Sequence, residues 1–502
     1  MPPRTLLGLM LAVVGLSASV AANPTVLKNT RELFVDDYIL EKNVGLESRL
    51  GTVTNAGTAL LLNQPWEGRS SGAFISVFHN GEKYQMYYRG GFGQSERKDL
   101  TCYAESADGI TWVRPKLGLF EVAGTKENNV VLPPGEPFFA GHNLSVYYDN
   151  RPGVPAEERY KAVGGGMGSS KAHRAAGTTR ALYRYVSADG QKWKLYSPEP
   201  LFAPYALDSQ NVLVWLPAEQ CFAVYMRVWS LDVPGQPIRY HHIPNNIRLI
   251  ARSTAKEFGG PWTAPVTMTT GNVPLEDLYT NATQPYFRAP HILIAMPFRF
   301  VPGRVVLSPE QFKQYDMKPN LGVSDIILMS SRGGTSYDRK FMESFFRPGM
   351  DESSWGTRSN IPGTGIVQTG PAEMSFYVMR GYLSNKVRIE RLTLRLDGFA
   401  SLHAGYKTGY AITRPLQLDG KRLSLNVSTS ARGSIKVVVL DENSAELPGF
   451  GEADARELVG DTIDLTATWK DHATLEGLSG KVVRLKFIIQ DADLFSFGVF
   501  DR

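Results

Sequence analysis

Two heptapeptides constrain the fold of this 502-residue chain more than any other feature: Ser106-Ala107-Asp108-Gly109-Ile110-Thr111-Trp112 and Ser187-Ala188-Asp189-Gly190-Gln191-Lys192-Trp193. The second follows the first by 81 residues. Each piece has a local reason: Asp or Ser bonds the backbone two residues on, Gly takes a positive φ, and Trp covers the hairpin below. Degenerate copies at Ser253 to Trp262 and Ser330 to Tyr337 keep the serine, the glycine and the closing aromatic but lose the aspartate. Arg395-Leu396-Asp397-Gly398-Phe399 is a fifth echo. A turn that packs an aromatic on its neighbour stabilises sheets without touching a ligand, so these repeats define architecture and not chemistry.

Between the turns, segments such as AFISVFHNGEKYQMYYRGG and NVLVWLPAEQCFAVYMRVW read as paired strands split by a tight turn. Five such units of roughly 70 residues each predict an all-β fold, a five-bladed β-propeller over residues 30–400. From residue 401 to 502 the blade turn disappears and alternating strands continue at short spacing, which predicts an appended β-sandwich. Helical candidates are confined to short polar stretches near Pro309 to Tyr315 and Asp351 to Trp355.

Residues 1–22 place Arg4 before an apolar run from Leu6 to Leu16 and then small residues up to Ala22, the layout of a secretory signal. The run is shorter than the ~20 residues a bilayer core requires, and no later segment reaches spanning length. The expected mature chain is therefore secreted or periplasmic. Its formal charge of +5 is spread among interleaved acids and bases, with no basic stripe for nucleic acid. Cys102 and Cys221 are the only cysteines, so stability rests on packing and not on a disulfide framework. No cofactor motif or metal-ligand spacing is present, and oligomeric state is left open.

In a propeller the innermost strands run beside the axis, so residues at their starts converge on one end of the tunnel. Those starts carry Glu67, His142, Asn143, Asp208, Gln210, Asn211, Asn281, Arg288, His291 and Glu373. Glycoside hydrolysis needs two carboxyl groups flanking the scissile bond, one to donate a proton and one ionised. Glu67, Asp208 and Glu373 are the catalytic candidates, with Asp208 as acid and Glu67 or Glu373 serving the opposite face of the sugar. His142, Asn143, Gln210, Asn211, Asn281, Arg288 and His291 are the candidate substrate contacts, and Trp66, Tyr279 and Tyr286 are candidates to stack on a sugar ring. Each acid has a structural rival role, capping a loop or bonding backbone amides at a strand entrance.

The stretches LFVDDYILEK, PWEG, MYYRGG, TCYAESADGITWVRPKLGLFE, GTKENNVVL, GHN, DSQNV, TNATQPYFRAPH, FFRPG and RLKFIIQDADLFSF together resemble a family of exported bacterial proteins usually termed glycosyl hydrolase-like. In architecture the chain is similar to five-bladed propeller glycoside hydrolases of the invertase and arabinanase kind, some of which carry a C-terminal β-sandwich. That resemblance implies a carboxylate at Glu67 and another at Asp208. It departs from the pattern at His142-Asn143, where a further acid is expected, and it lacks the invertase Asn-Asp-Pro and Arg-Asp-Pro motifs. The expected function is hydrolysis of a poly- or oligosaccharide. The alternatives are a non-catalytic glycan-binding propeller and a surface-assembly protein.

Overall fold

The computed structural model describes residues 24–92, 98–135, 140–165, 181–203, 205, 207–231, 246–319 and 322–501. The expected export signal lies outside them. The described chain is almost wholly β-structured. Its α-helix, Pro309–Gln314, starts at Ser308, whose hydroxyl accepts from the Gln311 amide while the Gln311 side chain accepts from the Ser308 amide. That reciprocal cap explains why so short a polar stretch is helical.

Three four-stranded antiparallel sheets follow one another. The first is Ser76–His79, Tyr84–Phe92, Lys98–Ser106 and Val130–Leu132; the second is Ser145–Tyr148, Tyr160–Gly165, Leu182–Ser187 and Lys194–Leu195. The third is Val212–Leu216, Cys221–Trp229, Arg248–Ala255 and Val266–Thr267. In the fourth group the long central strand breaks into Ala289–Ala295 and Phe298–Val301, giving two three-stranded sheets. Pro297 sits at the break, where a residue without an N–H cannot donate to the ladder. The fifth sheet joins Glu373–Arg380 and Arg388–Arg395 to Thr54–Leu61 from the start of the chain. The first strands of the groups touch in sequence, and Val367–Gln368 of the fifth returns to Ser76–His79 of the first. Gln284 joins the fourth group to the fifth, its Oε1 accepting from the Gly365 and Ile366 amides at 3.1 Å. The ring is thereby closed.

The heptapeptide turns show how neighbouring sheets are locked. Ser106 Oγ accepts from the Gly109 amide at 2.9 Å, and Asp108 Oδ1 accepts from Ile110 and Thr111 at 2.7 and 2.8 Å. Ser187 and Asp189 repeat the pattern with Gly190, Gln191 and Lys192. Gly109 and Gly190 have φ of 71° and 75°, the left-handed region that favours glycine. The carbonyl of each glycine then accepts from a tyrosine of the preceding sheet: Tyr87 Oη donates to Gly190 O at 2.9 Å, and Tyr377 Oη donates to Gly109 O. Trp112 stands edge-on to Tyr377 and Trp193 edge-on to Tyr87. The tryptophan thus reaches the adjacent sheet, and Trp112 also packs in one cluster with Met86, Tyr88 and Cys102 of its own sheet.

The C-terminal strands form a ten-stranded sheet built on Arg422–Leu440 and Val482–Phe500, which pair along most of their length with a register shift between Thr429 and Ser434. Alternate residues of both strands enter one apolar core around Leu425, Val437, Leu485, Phe487 and Phe497. Thr25–Leu27, Thr30–Leu33, Leu40–Val44 and Glu47–Leu50 also pair in this sheet. Residues 30–50, assigned by sequence spacing to the repeat region, therefore hydrogen-bond with the C-terminal strands. Strand pairing over such separations leaves no local sequence trace. Cys102 and Cys221 are both free and buried.

Candidate functional site

Register separates the two ends of each sheet. In the first, Tyr84 lies opposite Ser106 at the turn end and Phe92 opposite Lys98 at the other end, the mouth. One carboxyl and one backbone carbonyl approach a single histidine at the mouth. His142 Nδ1 is 2.7 Å from Asp99 Oδ2, and its Nε2 is 3.2 Å from the Asp208 carbonyl oxygen. The ring is buried, with Phe74 edge-on at 5.4 Å. Both ring nitrogens face oxygen acceptors, whereas a neutral imidazole carries one N–H. Either tautomer therefore donates to one of these oxygens, Asp99 Oδ2 or the Asp208 carbonyl.

The Asp208 carboxylate pairs with the buried Arg227 guanidinium, and its side chain remains 41% exposed. Burial raises its pKa, but the Arg227 and His142 charges outweigh that and hold Asp208 below the ordinary carboxylate range. Arg227 lies over Trp229 and Tyr279, at 5.3 and 5.4 Å from the ring centroids. The loop carrying Asp208 is fixed by two amides: Asn143 Nδ2 donates to Leu207 O and Ser209 O at 2.7 and 2.8 Å, and Asn211 Nδ2 donates to the same two carbonyls at 3.0 Å. Gln210 donates to Ile75 O at 2.8 Å, tying the third sheet to the first. Asn281 bonds Tyr225 O and the Thr283 amide. These four amides are buried and engage backbone.

The remaining candidates have other partners. Glu67 has a fully buried side chain; Arg114 donates to both its oxygens at 2.8 and 3.0 Å, and Tyr88 Oη donates to Oε1 at 2.5 Å. Burial, reinforced by the Glu67 charge, pushes the Tyr88 hydroxyl well above its ordinary value, so it stays a donor. Asn129 completes the knot, accepting from Trp66 Nε1 at 2.7 Å and donating to Tyr88 Oη at 2.9 Å. Glu373 starts the central strand of the fifth sheet at the turn end, bonded to Arg391 and Thr369 at 2.9 Å. Arg288 and His291 face the C-terminal sheet: Arg288 approaches Asp397 at 3.5 Å and His291 Nε2 lies 2.8 Å from Glu32. Tyr286 is there too, donating to Asp397 at 2.7 Å. The structure thus gathers His142, Asn143, Asp208 and Asn211; Glu67 bridges Gly91, the residue paired with Asp99, but turns its carboxylate to Arg114 and Tyr88, and Glu373, Arg288 and His291 have other partners.

Asp99 and Arg227 went unnoticed in the sequence. Arg227 had a signal: it is the charged residue in the otherwise apolar run CFAVYMRVW, and Arg89 holds the matching place in YQMYYRGG. Asp99, beside Lys98 in a polar stretch, had none.

No protein-family model matches the chain, and no curated protein does. Solved structures similar to it include a protein described as a glycoside hydrolase, with 10% identity, TM-score 0.43, and coverage of 68% of this chain and 92% of that one. Another is an N-acetylgalactosamine deacetylase from F. plautii, with 12% identity, TM-score 0.41, and coverage of 75% and 95%. A third is the Bombyx mori GH32 beta-fructofuranosidase, with 9% identity, TM-score 0.40, and coverage of 89% and 95%.

Proposed function

We propose that this chain is an exported glycoside hydrolase, a five-bladed β-propeller with a C-terminal β-sandwich, acting on a poly- or oligosaccharide at the mouth of its ring. The observation that carries this reading is the meeting of Asp99, His142 and the Asp208 loop at one end, where the Arg227 and His142 charges outweigh burial and hold the Asp208 carboxylate below its ordinary range, with the Asp99–His142 pair beside it as the proton source. Hydrolysis of a glycosidic bond needs that division: a proton delivered to the leaving oxygen while the C–O bond breaks, and an ionised carboxylate to activate water or attack the anomeric carbon. Asp208 suits the ionised role better than the acid role its position first suggested. Asp99 and His142 supply the proton.

The test is a panel of polysaccharides hydrolysed by the purified mature chain and by Asp208→Asn, His142→Gln, Glu67→Gln and Glu373→Gln. Asp208→Asn and His142→Gln should each lower kcat at least 100-fold, and Glu373→Gln should leave it within about twofold. Unchanged turnover in both Asp208→Asn and His142→Gln removes this site. The close Arg227 partner of Asp208 favours one other reading, a glycan-binding ring without turnover. It predicts binding of the same glycans with no product in any variant.

A further inference from the structure

Arg89 and Arg227 hold equivalent places near the mouth end of the central strands of the first and third sheets, yet their surroundings differ. Arg227 has the Asp208 carboxylate. Arg89 is only 4% exposed, and its Nε and Nη2 both donate to the Ser70 carbonyl, at 2.9 and 2.6 Å, with Nη2 also 3.3 Å from Tyr382 Oη. Among the described residues no carboxylate comes within 4 Å of it. Its Nη1 donates to none of them and is not among the sealed polar atoms. A buried charge without a counter-ion is costly, and the Phe74 and Tyr382 rings and the Ser70 carbonyl offset only part of that cost.

A second guanidinium shares the place. Arg89 and Arg358 each lie 5.6 Å from the Tyr382 ring centroid, and Arg358 likewise has no acidic partner within 4 Å among the described residues. Arg358 is partly exposed and is held at a φ of 54°, a conformation that non-glycine residues seldom adopt. Arg69 adjoins them, donating to Leu383 O at 2.8 Å and pairing with the exposed Asp316. The patch is continuous with the acid–histidine cluster: Arg89 lies 4.8 Å from the centroid of the Phe74 ring, whose edge contact is His142.

We propose that Arg89 and Arg358, on the ring of Tyr382, form an anion-binding subsite of the mouth, and that the glycan handled there carries a carboxylate or a sulfate ester. This rests on the glycan reading above. Guanidinium groups suit both anions, whose paired oxygens accept parallel N–H donors. The anion supplies the counter-charge that Arg89 lacks and places the sugar bearing it beside His142.

Calorimetric titration with three probes tests the subsite: trigalacturonate for the carboxylate, a 4-sulfated neocarrabiose for the sulfate, and galactotriose as the neutral control. At least one anionic probe should bind the purified chain 10-fold or more tightly than galactotriose. That preference should weaken with added salt and fall at least 10-fold in Arg358→Ala and Arg89→Gln. Which anionic probe binds distinguishes a uronic acid from a sulfated sugar. Arg358→Ala touches a partly exposed side chain, so it keeps the test valid if Arg89→Gln melts early. Equal binding of anionic and neutral probes, binding of neither anionic probe, or an anionic affinity unchanged in Arg358→Ala overturns the subsite. Asp208→Asn should retain anion binding. A chain that binds trigalacturonate through Arg358 yet cleaves no glycan defeats the hydrolase reading alone. Cleavage of a neutral glycan unaffected by either arginine substitution defeats the subsite alone.

Discussion

The two ends of the ring are built from the same strands and solve opposite problems. At the turn end the polar groups are satisfied by near neighbours in sequence: Ser106 and Asp108, and again Ser187 and Asp189, bond amides two or three residues on. A single tyrosine then ties each turn to the sheet before it. At the mouth the partners are far apart in sequence, Asp99 with His142 and Asp208 with Arg227, and among the described residues Arg89 and Arg358 have no acid within 4 Å. The difference teaches that the repeat preserves closure of the ring at one end while freeing the other end to vary from sheet to sheet. The Glu67 knot, whose backbone bridges Gly91 beside the mouth, is as buried as the turn end yet draws its partners from distant residues as the mouth does.

Breaking the Glu67 knot should have the largest effect on stability. Glu67→Ala leaves the Arg114 charge without its partner and Tyr88 Oη without its acceptor, and should cost about 3 kcal/mol, read as a shift of the urea unfolding midpoint. A loss under about 1 kcal/mol would move Glu67 back among the functional residues. Next comes Gly190→Ala at the turn end, where an added Cβ meets Tyr87 Oη at a backbone φ of 75°. It should cost about 2 kcal/mol or more, against about 1 kcal/mol for Gly118→Ala, which has φ of 70° but nothing within 4 Å of its Cβ. Equal losses at the two glycines would mean that conformation alone, and not the tyrosine contact, selects glycine in the repeat.

Smaller effects sharpen the same contrast. Tyr87→Phe and Tyr377→Phe should each cost about 1 kcal/mol, since each removes one hydrogen bond to a turn carbonyl. Thermal melts of the two single variants and the double should add, because the turns they hold belong to different sheets. The least effect is that of Asp108, whose pKa is lowered to about 2 by the Thr111 and Ile110 amides. A depressed carboxylate contributes stability that is fully present above its unfolded value, near 3.8, and is lost as pH falls through about 2. The melting temperature of Asp108→Ala should therefore approach that of the parent chain as pH drops from 4 to 2. A gap that stays constant over that window would deny the aspartate its role in the turn.

Much of this was open to a reader of the sequence. The Ser-x-Asp-Gly-x-x-Trp spacing requires its turn because every bond in it is local: the serine, the aspartate, the positive φ of the glycine and the amides all fall within six residues. Strand alternation and the short capped helix at Ser308 are local in the same sense. Asp208 and His142 stood out in the sequence because polar residues at inner-strand starts meet wherever strands run beside an axis.

What the sequence left open is what depends on distant parts of the chain. Thr54–Leu61 closes the fifth sheet and Thr30–Leu33 pairs in the C-terminal sheet, choices made between strands hundreds of residues apart with equally suitable edges. The same holds for charge. Glu67, Asp208 and Glu373 look alike as letters, and only the fold seals the first carboxylate against Arg114, leaves the second half-open beside the buried Arg227 and puts the third at the far end of the ring. A carboxylate's chemistry is set by the charges and water around it, and those neighbours are decided by tertiary structure.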